Sequence, residues 1–339
     1  MTVRVGFLGA GLIATFHSKM LKGSGEDVAW AGVFDPDRAR AEAFAAVSGA
    51  TACATEDEVL DSCDAVYVCT WTSEHPRLFS AAVQRGRPVF CEKPLAVDLA
   101  AAEALTAEVV ASGVVNQCGL VLRRSPAFNL AKALREDPAA GPTMAVVFRD
   151  DQYIPTQGQY ASTWRGDRTK AGAGTLIEHS IHDVDMLEHV VGPVAEIGAR
   201  SANHHGLDGI EDVMTASLAF ADGALGTLTS VWHDVLSRPS LRRVEIFCGS
   251  RWIAIEDDWF GPVTWQDPDG PATTVSGETL LAACAERGVA TPNPDGDFIR
   301  AVRDGTPAHP DVTVALRAHR IVDAAYRSAA AGGTPIPVS

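Results

Sequence analysis

The stretch that decides the fold is VRVGFLGAGLIA, residues 3–14, in which an apolar run passes directly into the pattern Gly9-x-Gly11-x-x-Ala14. The apolar run predicts a β-strand, and the residues after the glycines predict a helix. In this strand–turn–helix context Gly9 suits a tight turn, Gly11 lets the backbone approach a pyrophosphate, and Ala14 allows close packing of helix on strand. The stretch therefore predicts a dinucleotide-binding fold.

Residues beside the glycines and at the end of the next strand predict how the dinucleotide is held. Leu12 and Ile13 begin the helix, and a helix N-terminus attracts phosphate, so we expect both at the cofactor. A second predicted strand, residues 28–34, ends at Asp35, whose carboxylate is placed to bond the adenosine ribose hydroxyls. Because Asp35 would repel a 2′-phosphate, we expect NAD, with NADP as the alternative through contact with Arg38. A solvated helix face is the competing interpretation of that arginine.

Strand-like and helix-like segments continue to alternate as far as residue 120, which predicts a parallel, doubly wound sheet. Ligands bind such sheets at the carboxyl ends of the strands. Two polar loops, residues 70–75 and residues 92–94, leave predicted strands at those ends. We expect contacts to the cofactor from six side chains of these loops: Thr70, Trp71, Thr72, His75, Glu92 and Lys93.

Lys93 follows a buried strand and precedes Pro94, whose ring fixes the local backbone. An ammonium group at that edge would point toward the nicotinamide end of the cleft. There it can donate a hydrogen bond to a substrate oxygen and stabilise a developing alkoxide. An ordinary surface lysine in a loop is the alternative, but the position at a strand end favours the catalytic interpretation.

A second chemically suggestive segment is GAGTLIEHSIHDVD, residues 172–185, which predicts a glycine loop followed by one helix. Glu178, His182 and Asp185 are spaced i, i+4 and i+7 and would share one helix face. A carboxylate one turn before a histidine can orient the ring and raise its basicity, which suits a proton acceptor near neutral pH. Thr175-x-x-Glu178 also matches a capping box, in which the glutamate has only a structural role.

The composition is that of a soluble globular protein large enough for two domains, with 339 residues, 46% of them hydrophobic and 21% charged. The net charge of −15, without a basic run, argues against binding to nucleic acid or to an anionic membrane. We expect no signal peptide and no membrane span, because the first apolar run is short and none reaches about 18 residues. Seven singly scattered cysteines favour a reducing, cytoplasmic location, and we expect no metal site.

Five features occur in an order and at intervals that resemble the glucose–fructose oxidoreductase, inositol dehydrogenase and MocA (Gfo/Idh/MocA) family: Gly9-x-Gly11-x-x-Ala14, Asp35, Thr70 with His75, Glu92-Lys93-Pro94 and the 172–185 segment. The resemblance spans nearly the whole chain. It implies an α/β protein with an amino-terminal Rossmann domain, built on a parallel doubly wound sheet. A carboxy-terminal α/β domain with a large, mostly antiparallel sheet would follow, and would form homodimers or homotetramers.

The resemblance also implies that a hydride is transferred between NAD(P) and a hydroxyl or ketone of a sugar, polyol or related compound. Lys93 would then bind the reacting oxygen, and His182 would be the acid–base group, with Glu178 one turn before it. The chain departs from the family at two points, since the family often has aspartate at the position of Glu178 and a third glycine at the position of Ala173. The longer side chain at 178 would place its carboxylate differently from that of an aspartate.

We place the domain boundary so that residues 1–122 form the NAD(P)-binding domain and residues 123–339 the domain for substrate binding and oligomerisation. In the second domain a polar loop, residues 157–170, leads directly into the 172–185 segment and would form a wall or lid over the substrate. Trp164 as a packing anchor and His233 as an exposed edge residue are alternatives to substrate contact. The candidates for substrate contact are Tyr153, Trp164, Arg165, Asp185 and His233.

The sequence thus predicts a cytoplasmic NAD(P)-dependent oxidoreductase that acts on CH–OH groups of a sugar, an inositol-like cyclic polyol or a sugar derivative. Two other functions stay open: a glycosidase or lyase that uses NAD for transient oxidation, and a non-catalytic dinucleotide-binding regulator. The presence of both Lys93 and His182 argues against the regulator. Turnover without net formation of NADH would identify the glycosidase or lyase.

Overall fold

A computed structural model describes every residue of the chain, Met1–Ser339. The chain divides into two compact units. The first comprises Met1–Leu120 and Pro292–Leu316, and the second comprises Val121–Thr291 and Arg317–Ser339. None of the helices is both long enough and apolar enough to cross a bilayer.

The first 120 residues alternate strands and helices: β1 (Val3–Leu8), α1 (Leu12–Gly23), β2 (Val28–Phe34), α2 (Arg38–Ser48), β3 (Thr51–Ala52), α3 (Glu56–Ser62), β4 (Ala65–Val68), α4 (His75–Val83), β5 (Val89–Cys91), α5 (Leu99–Ser112) and β6 (Asn116–Cys118). The six strands are parallel and lie in the order β3-β2-β1-β4-β5-β6. Strand β4 is buried throughout, as expected for a parallel sheet covered on both faces. The predicted doubly wound sheet is confirmed.

The later residues form α6 (Pro126–Glu136), β7 (Thr143–Tyr153), α7 (Arg168–Ala171), α8 (Thr175–Glu178), α9 (Ile181–Val190), β8 (Val194–Ala202), β9 (Val213–Phe220), β10 (Leu225–His233), β11 (Leu241–Cys248), β12 (Trp252–Ile255), β13 (Val263–Gln266), β14 (Thr273–Val275), α10 (Gly277–Glu286), α11 (Pro294–Asp304), α12 (Val312–Ala330) and β15 (Ile336–Pro337). Nine of these elements form the second sheet, in the order β14-β13-β12-β11-β7-β10-β9-β8-β15. Its neighbouring strands are antiparallel except β7 and β10, which are parallel. The predicted mostly antiparallel sheet is confirmed.

The second sheet buries only one of its faces. Buried and exposed residues alternate along β11, as is typical of an antiparallel sheet with one face against a core and one face in solvent. On the covered face, Val146 and Phe148 of β7 belong to one hydrophobic core with helices α6 and α9. The ring of Phe148 stacks on Phe128 of α6, with 6.1 Å between ring centroids.

The first unit contains a segment, Pro292–Leu316, that the sequence analysis assigned to the second domain. Contacts to residues far away in the sequence hold it there. The amide of Gln117 donates to the carbonyl of Pro294 at 2.9 Å, and the ring of Phe298 packs edge-on against Tyr67 and Phe90. No local pattern encodes this attachment, because it depends on aromatic and polar partners in distant strands.

The single helix predicted after the glycines of the 172–185 segment is interrupted, so that prediction is wrong in its central part. It divides into α8 and α9, with His179 and Ser180 between them. The Ser180 hydroxyl bonds Ser230 of β10 at 2.6 Å and Asp150 of β7 at 3.2 Å, while His179 Nε2 lies 2.8 Å from Asp150. The amides of His179 and Ser180 both bond the carbonyl of Thr175, at 3.1 Å and 2.9 Å, so the buried side-chain contacts hold a turn that departs from regular helix. Glu178 and His182 are four residues apart in the sequence, but they do not lie on one continuous helix.

Candidate active site

The glycine loop has the backbone geometry that the sequence predicted. Gly9 adopts φ +97°, and a side chain there would overlap the carbonyl of Cys69, so only glycine fits. Gly11 precedes α1, and a Cβ at Gly11 would meet no protein atom within 4 Å. The helix has no side-chain cap, and Leu12 and Ile13 are exposed at its start. Uncapped N–H groups beside an open backbone fit a pyrophosphate.

Asp35 follows β2 and braces the same loop. One of its carboxylate oxygens accepts from the Ala10 amide at 2.9 Å, and the other accepts from the Asp37 amide at 2.9 Å. Each oxygen keeps a lone pair for a further donor, so the position fits a ribose hydroxyl. Arg38 bonds Glu42 one turn along its own helix and the carbonyl of Cys53, which agrees with the helix-face interpretation.

His75 connects the two polar loops at the carboxyl ends of β4 and β5. Its Nδ1 lies 2.7 Å from the carbonyl of Pro94, and its Nε2 lies 3.2 Å from the carbonyl of Thr70. The ring is buried, and burial lowers the pKa of His75, which favours the neutral form. A neutral ring has one N–H, and the shorter distance assigns it to Pro94. Thr72 is buried nearby, and Trp71 is exposed.

A buried cluster of charges fixes Glu92, the residue before Lys93. His17 of α1 places Nε2 2.9 Å from Glu92 and Nδ1 2.8 Å from Asp295 of α11. Burial disfavours the imidazolium, but Asp295 and then Glu92 outweigh it and raise the pKa of His17 to about 10. The other oxygen of Glu92 accepts from the Lys93 amide at 3.2 Å. The Lys93 side chain itself is half-buried.

His17 and Asp295 were not among the residues predicted to support the site. A signal for His17 was available, because Ala14, His17, Ser18 and Leu21 form the buried face of α1 at i, i+3, i+4 and i+7. A histidine in an otherwise small and apolar stripe indicates a buried partner. Asp295 carries no such local signal, since the partner it serves is 278 residues away.

In the second unit Glu178 pairs with Arg165 and not with a helix end. The guanidinium Nε of Arg165 lies 2.6 Å from the carboxylate of Glu178, which is 3% exposed. No side chain caps α8, and the hydroxyl of Thr175 bonds Ser230 at 2.7 Å. The capping box that competed with the catalytic interpretation of Glu178 is therefore not formed.

The loop before α8 places two more predicted residues beside Glu178. Arg165 lies over the ring of Trp164, 4.5 Å from its centroid, and its Nη1 donates to Ser162 at 2.8 Å. The loop residues and Glu178 thus form one group, and the role of the loop as a wall over the substrate stays a prediction. His182 is the second residue of α9 and is half-buried.

Three other predicted substrate contacts have partners inside the second unit. Arg123 bonds both carboxylate oxygens of Asp185 at 2.7–3.0 Å, which makes Asp185 an anchor for α9. Tyr153 is buried, and its ring centroid lies 5.4 Å from that of Tyr160. His233 Nδ1 accepts from the amide of Val235 at 3.1 Å. Direct contacts from these three residues to a substrate stay predictions.

A second buried cluster of charges lies between α9 and the sheet and was not predicted. Arg242 of β11 bonds Asp183 at 2.7 Å and also pairs with Asp150 and Asp258. Burial and the neighbouring Asp150 raise the pKa of Asp183 to about 7, although Arg242 opposes the shift. His179 contributes a ring nitrogen 2.8 Å from Asp150. The cluster fixes the break between α8 and α9.

Comparison with known proteins gives two family matches. Residues 3–120 match the oxidoreductase family with an NAD-binding Rossmann fold, and residues 128–253 match the GFO/IDH/MocA C-terminal domain. Among individual proteins, the chain is 30% identical over 264 residues to scyllo-inositol 2-dehydrogenase (NAD(+)) of Bacillus subtilis, covering 73% of this chain and 74% of that protein. It is 26% identical over 338 residues to inositol 2-dehydrogenase of Rhizobium meliloti, covering 97% and 98%.

Solved structures share the fold over the full length. Levoglucosan dehydrogenase in complex with NADH and levoglucosan superposes with a TM-score of 0.87 at 20% identity, covering 100% of both chains. At that identity the likeness shows the architecture alone.

Proposed function

The chain belongs to the Gfo/Idh/MocA family of NAD-binding oxidoreductases, and on that premise we propose that it transfers a hydride between NAD and a ring hydroxyl or ketone of a cyclic polyol or sugar. The observation that carries this proposal is the Glu92–Lys93 turn at the carboxyl end of β5. The buried imidazolium of His17 bonds Glu92, and the turn follows a strand of the same sheet whose first strand leads into the open glycine loop.

We assign the chemical roles to two side chains. His182 accepts the proton of the substrate hydroxyl, and the Lys93 ammonium donates a hydrogen bond that stabilises the developing alkoxide. NAD, when bound, supplies the acceptor for the hydride from the same carbon. The substrate thereby loses one proton and one hydride and becomes a ketone, and the reverse steps reduce it.

The cofactor contacts that we propose follow from the glycine loop and the strand ends. Gly9, Gly11, Leu12 and Ile13 would hold the pyrophosphate, because this backbone is open and uncapped. Asp35 would bond the ribose and favour NAD over NADP. Thr70 and Trp71 would line the same edge, whereas Thr72, His75 and Glu92, being buried, would support it from beneath.

For the substrate, the geometry favours the loop beside Glu178. Arg165 is held between the carboxylate of Glu178 and the face of Trp164, so its remaining donors have a fixed direction. The relatives named above act on inositols, and a polyhydroxylated ring offers several acceptors to such a group. We therefore propose that Trp164 and Arg165 contact the substrate, and that Asp185 acts through Arg123.

A screen of inositols, aldoses and anhydrosugars with NAD, followed by NADH absorbance, tests the proposal. We expect turnover with at least one cyclic polyol or sugar, and its loss in both Lys93→Ala and His182→Ala. Cleavage of a glycoside or elimination from a sugar without net NADH would show the transient-oxidation enzyme. NAD binding without any turnover would favour the regulator.

We propose that the protein is a cytoplasmic homo-oligomer assembled through the second sheet. All seven cysteines are free and buried, which suits a reducing compartment. On the exposed sheet face, Phe247, Ala145 and Leu225 lie in register across β11, β7 and β10, with Phe247 36% and Leu225 62% exposed. This apolar row on an exposed sheet face supports the proposal of an interface there.

Light scattering after size exclusion tests the assembly. We expect a dimer or tetramer that Leu225→Glu dissociates. Leu281→Glu, at a leucine of α10 that is also exposed, serves as the control and should leave the assembly intact. A monomeric wild-type protein would contradict the proposal.

A further inference from the structure

Glu211, just before β9, is a buried carboxylate that bonds the start of the 172–185 segment. One oxygen accepts from the Gly174 amide at 2.7 Å, and the other accepts from the Leu176 amide at 2.9 Å. The same oxygen also accepts from the Tyr326 hydroxyl of α12 at 2.8 Å. The backbone carbonyl of Glu211 accepts from the Thr175 amide at 2.9 Å. Neither the glycine motif nor the capping pattern in the sequence indicates this residue.

The backbone at Glu211 and the start of the 172–185 segment are in close as well as polar contact. A Cβ at Gly174 would overlap the backbone of Glu211, so glycine is required where the segments cross. The Tyr326 hydroxyl also accepts from the Ile177 amide at 3.3 Å. Four consecutive N–H groups, at residues 174–177, are therefore satisfied by Glu211 and Tyr326. Turns that lack their own cap need such partners when they are buried.

The chemistry of the contact requires a carboxylate. Both oxygens face donors, and an amide side chain would turn its NH₂ group toward an N–H or the tyrosine hydroxyl. Burial raises the pKa of Glu211, and the bonds from Leu176, Tyr326 and Gly174 oppose that rise. Burial and then Glu211 raise the pKa of Tyr326, so the phenol keeps its proton and remains a donor.

The segment is fixed at a second point further along. Thr175 and Ser180 both bond the hydroxyl of Ser230, at 2.7 Å and 2.6 Å. Glu178 lies between these bonds, and His182 follows two residues after the second. Thr175 takes part in both fixed points, because its amide bonds the carbonyl of Glu211 and its hydroxyl bonds Ser230. A displacement of the first fixed point would therefore reach Ser230 and Ser180, and with them Glu178 and the start of the helix that carries His182.

We propose that Glu211, supported by Tyr326, is a positioning residue that sets the placement of Glu178 and His182 for the reaction. The expected effect on the reaction rests on the proposed function, whereas the anchoring of residues 174–177 by Glu211 rests on the contacts alone. A misplacement of about 1 Å in an active site can cost on the order of 10²-fold in rate.

Hydrogen exchange of the purified full-length protein tests the anchoring. Glu211→Gln should accelerate exchange of the Gly174 and Leu176 amides by roughly tenfold or more, since these two amides lose a charged acceptor, whereas the Thr175 amide keeps the backbone carbonyl of residue 211. Asp212→Asn is the matched control. Asp212 is the adjacent buried carboxylate, and it bonds the amides of His204 and His205 instead. It should accelerate exchange around 204–205 and leave 174–177 unchanged.

Kinetics test the positioning. With the sugar or inositol turned over by the wild-type protein, Glu211→Gln should lower kcat by about 10²-fold and leave NADH binding unchanged. Asp212→Asn should keep kcat within about threefold. A loss of NADH affinity parallel to the loss of kcat would point to general damage and overturn the positioning role.

Tyr326→Phe keeps the proposal testable if Glu211→Gln does not fold. It removes one donor to Glu211 and the acceptor of the Ile177 amide, so it should accelerate exchange at 177. Unchanged exchange at 174–177 in every folded variant would overturn the anchoring. If the wild-type protein turns over no substrate, the proposed function fails, while the exchange data still decide whether Glu211 anchors the segment.

Discussion

Replacing His17 by glutamine should be among the most destabilising single substitutions in the first unit. The ring is 0% exposed, and each nitrogen contacts a buried carboxylate, at 2.9 Å for Glu92 and 2.8 Å for Asp295. The imidazolium is the cation between these two acids. Without it, two buried carboxylates face one another across a neutral amide.

The expected loss follows from the burial of the pair. Removing one partner of a buried ion pair typically costs about 3–5 kcal/mol, because a charge is left uncompensated. Total stabilities are about 5–15 kcal/mol, so the loss is a large fraction of the whole. In a unit of this size it corresponds to a fall in Tm on the order of 10 °C. Urea and thermal unfolding followed by circular dichroism measure it.

The pH dependence gives an independent check with a defined sign. The folded-state pKa of His17 is raised from 6.5 to about 10. The stabilisation from the imidazolium is therefore complete below pH 6.5 and is lost as the pH rises through about 10. The wild-type protein should lose stability over this window, and the gap between wild type and His17→Gln should narrow as the pH rises.

Two further variants test whether His17 is a buried cation. Lys19→Gln removes a charge from an exposed position of the same helix and should hardly change the free energy of unfolding. Adding Glu92→Gln to His17→Gln should restore part of the lost stability, because one unpaired carboxylate is gone. If His17→Gln costs less than about 1 kcal/mol, or if its deficit is independent of pH, the ring is not a buried cation.

Four further outcomes are expected. Asp35 at the end of β2 should make NAD bind more tightly than NADP in parallel titrations, and equal or tighter NADP binding would remove that assignment. Lys93→Ala should keep a cooperative melt and cofactor binding while turnover falls by about 10²–10³-fold, and near-normal turnover would refute its role. His182→Ala should lose roughly 10²–10⁴-fold in rate together with the rise of oxidation with pH, whereas Glu178→Gln should shift that rise to lower pH; an unchanged profile would leave Glu178 as a structural partner of the loop. The pKa of Asp183 is raised from 3.8 to about 7 in the folded protein. The protonated carboxyl therefore stabilises the fold fully below pH 3.8, and this contribution is lost as the pH rises through about 7. Asp183→Asn should flatten this part of the Tm–pH curve.

The sequence by itself determined the architecture of the first unit and the strand ends that carry its polar loops. Alternating segments predicted the parallel sheet, and the glycine pattern predicted a turn that the structure forms with φ +97° at Gly9. Lys93 was identified from its place after a strand. These inferences succeed because periodicity, turn geometry and strand ends are local properties, set by residues a few positions apart.

Only the tertiary structure decided what holds these groups in place. The Glu92 carboxylate is linked to Asp295 through His17, and the Gly174 amide bonds Glu211. The helix predicted in the 172–185 segment breaks where Ser180 bonds Ser230. Asp295, Glu211 and Ser230 come from distant segments, and none of the three has a local sequence pattern of its own. A buried polar group must find a partner wherever the fold brings one, and that choice depends on which segments meet in the core.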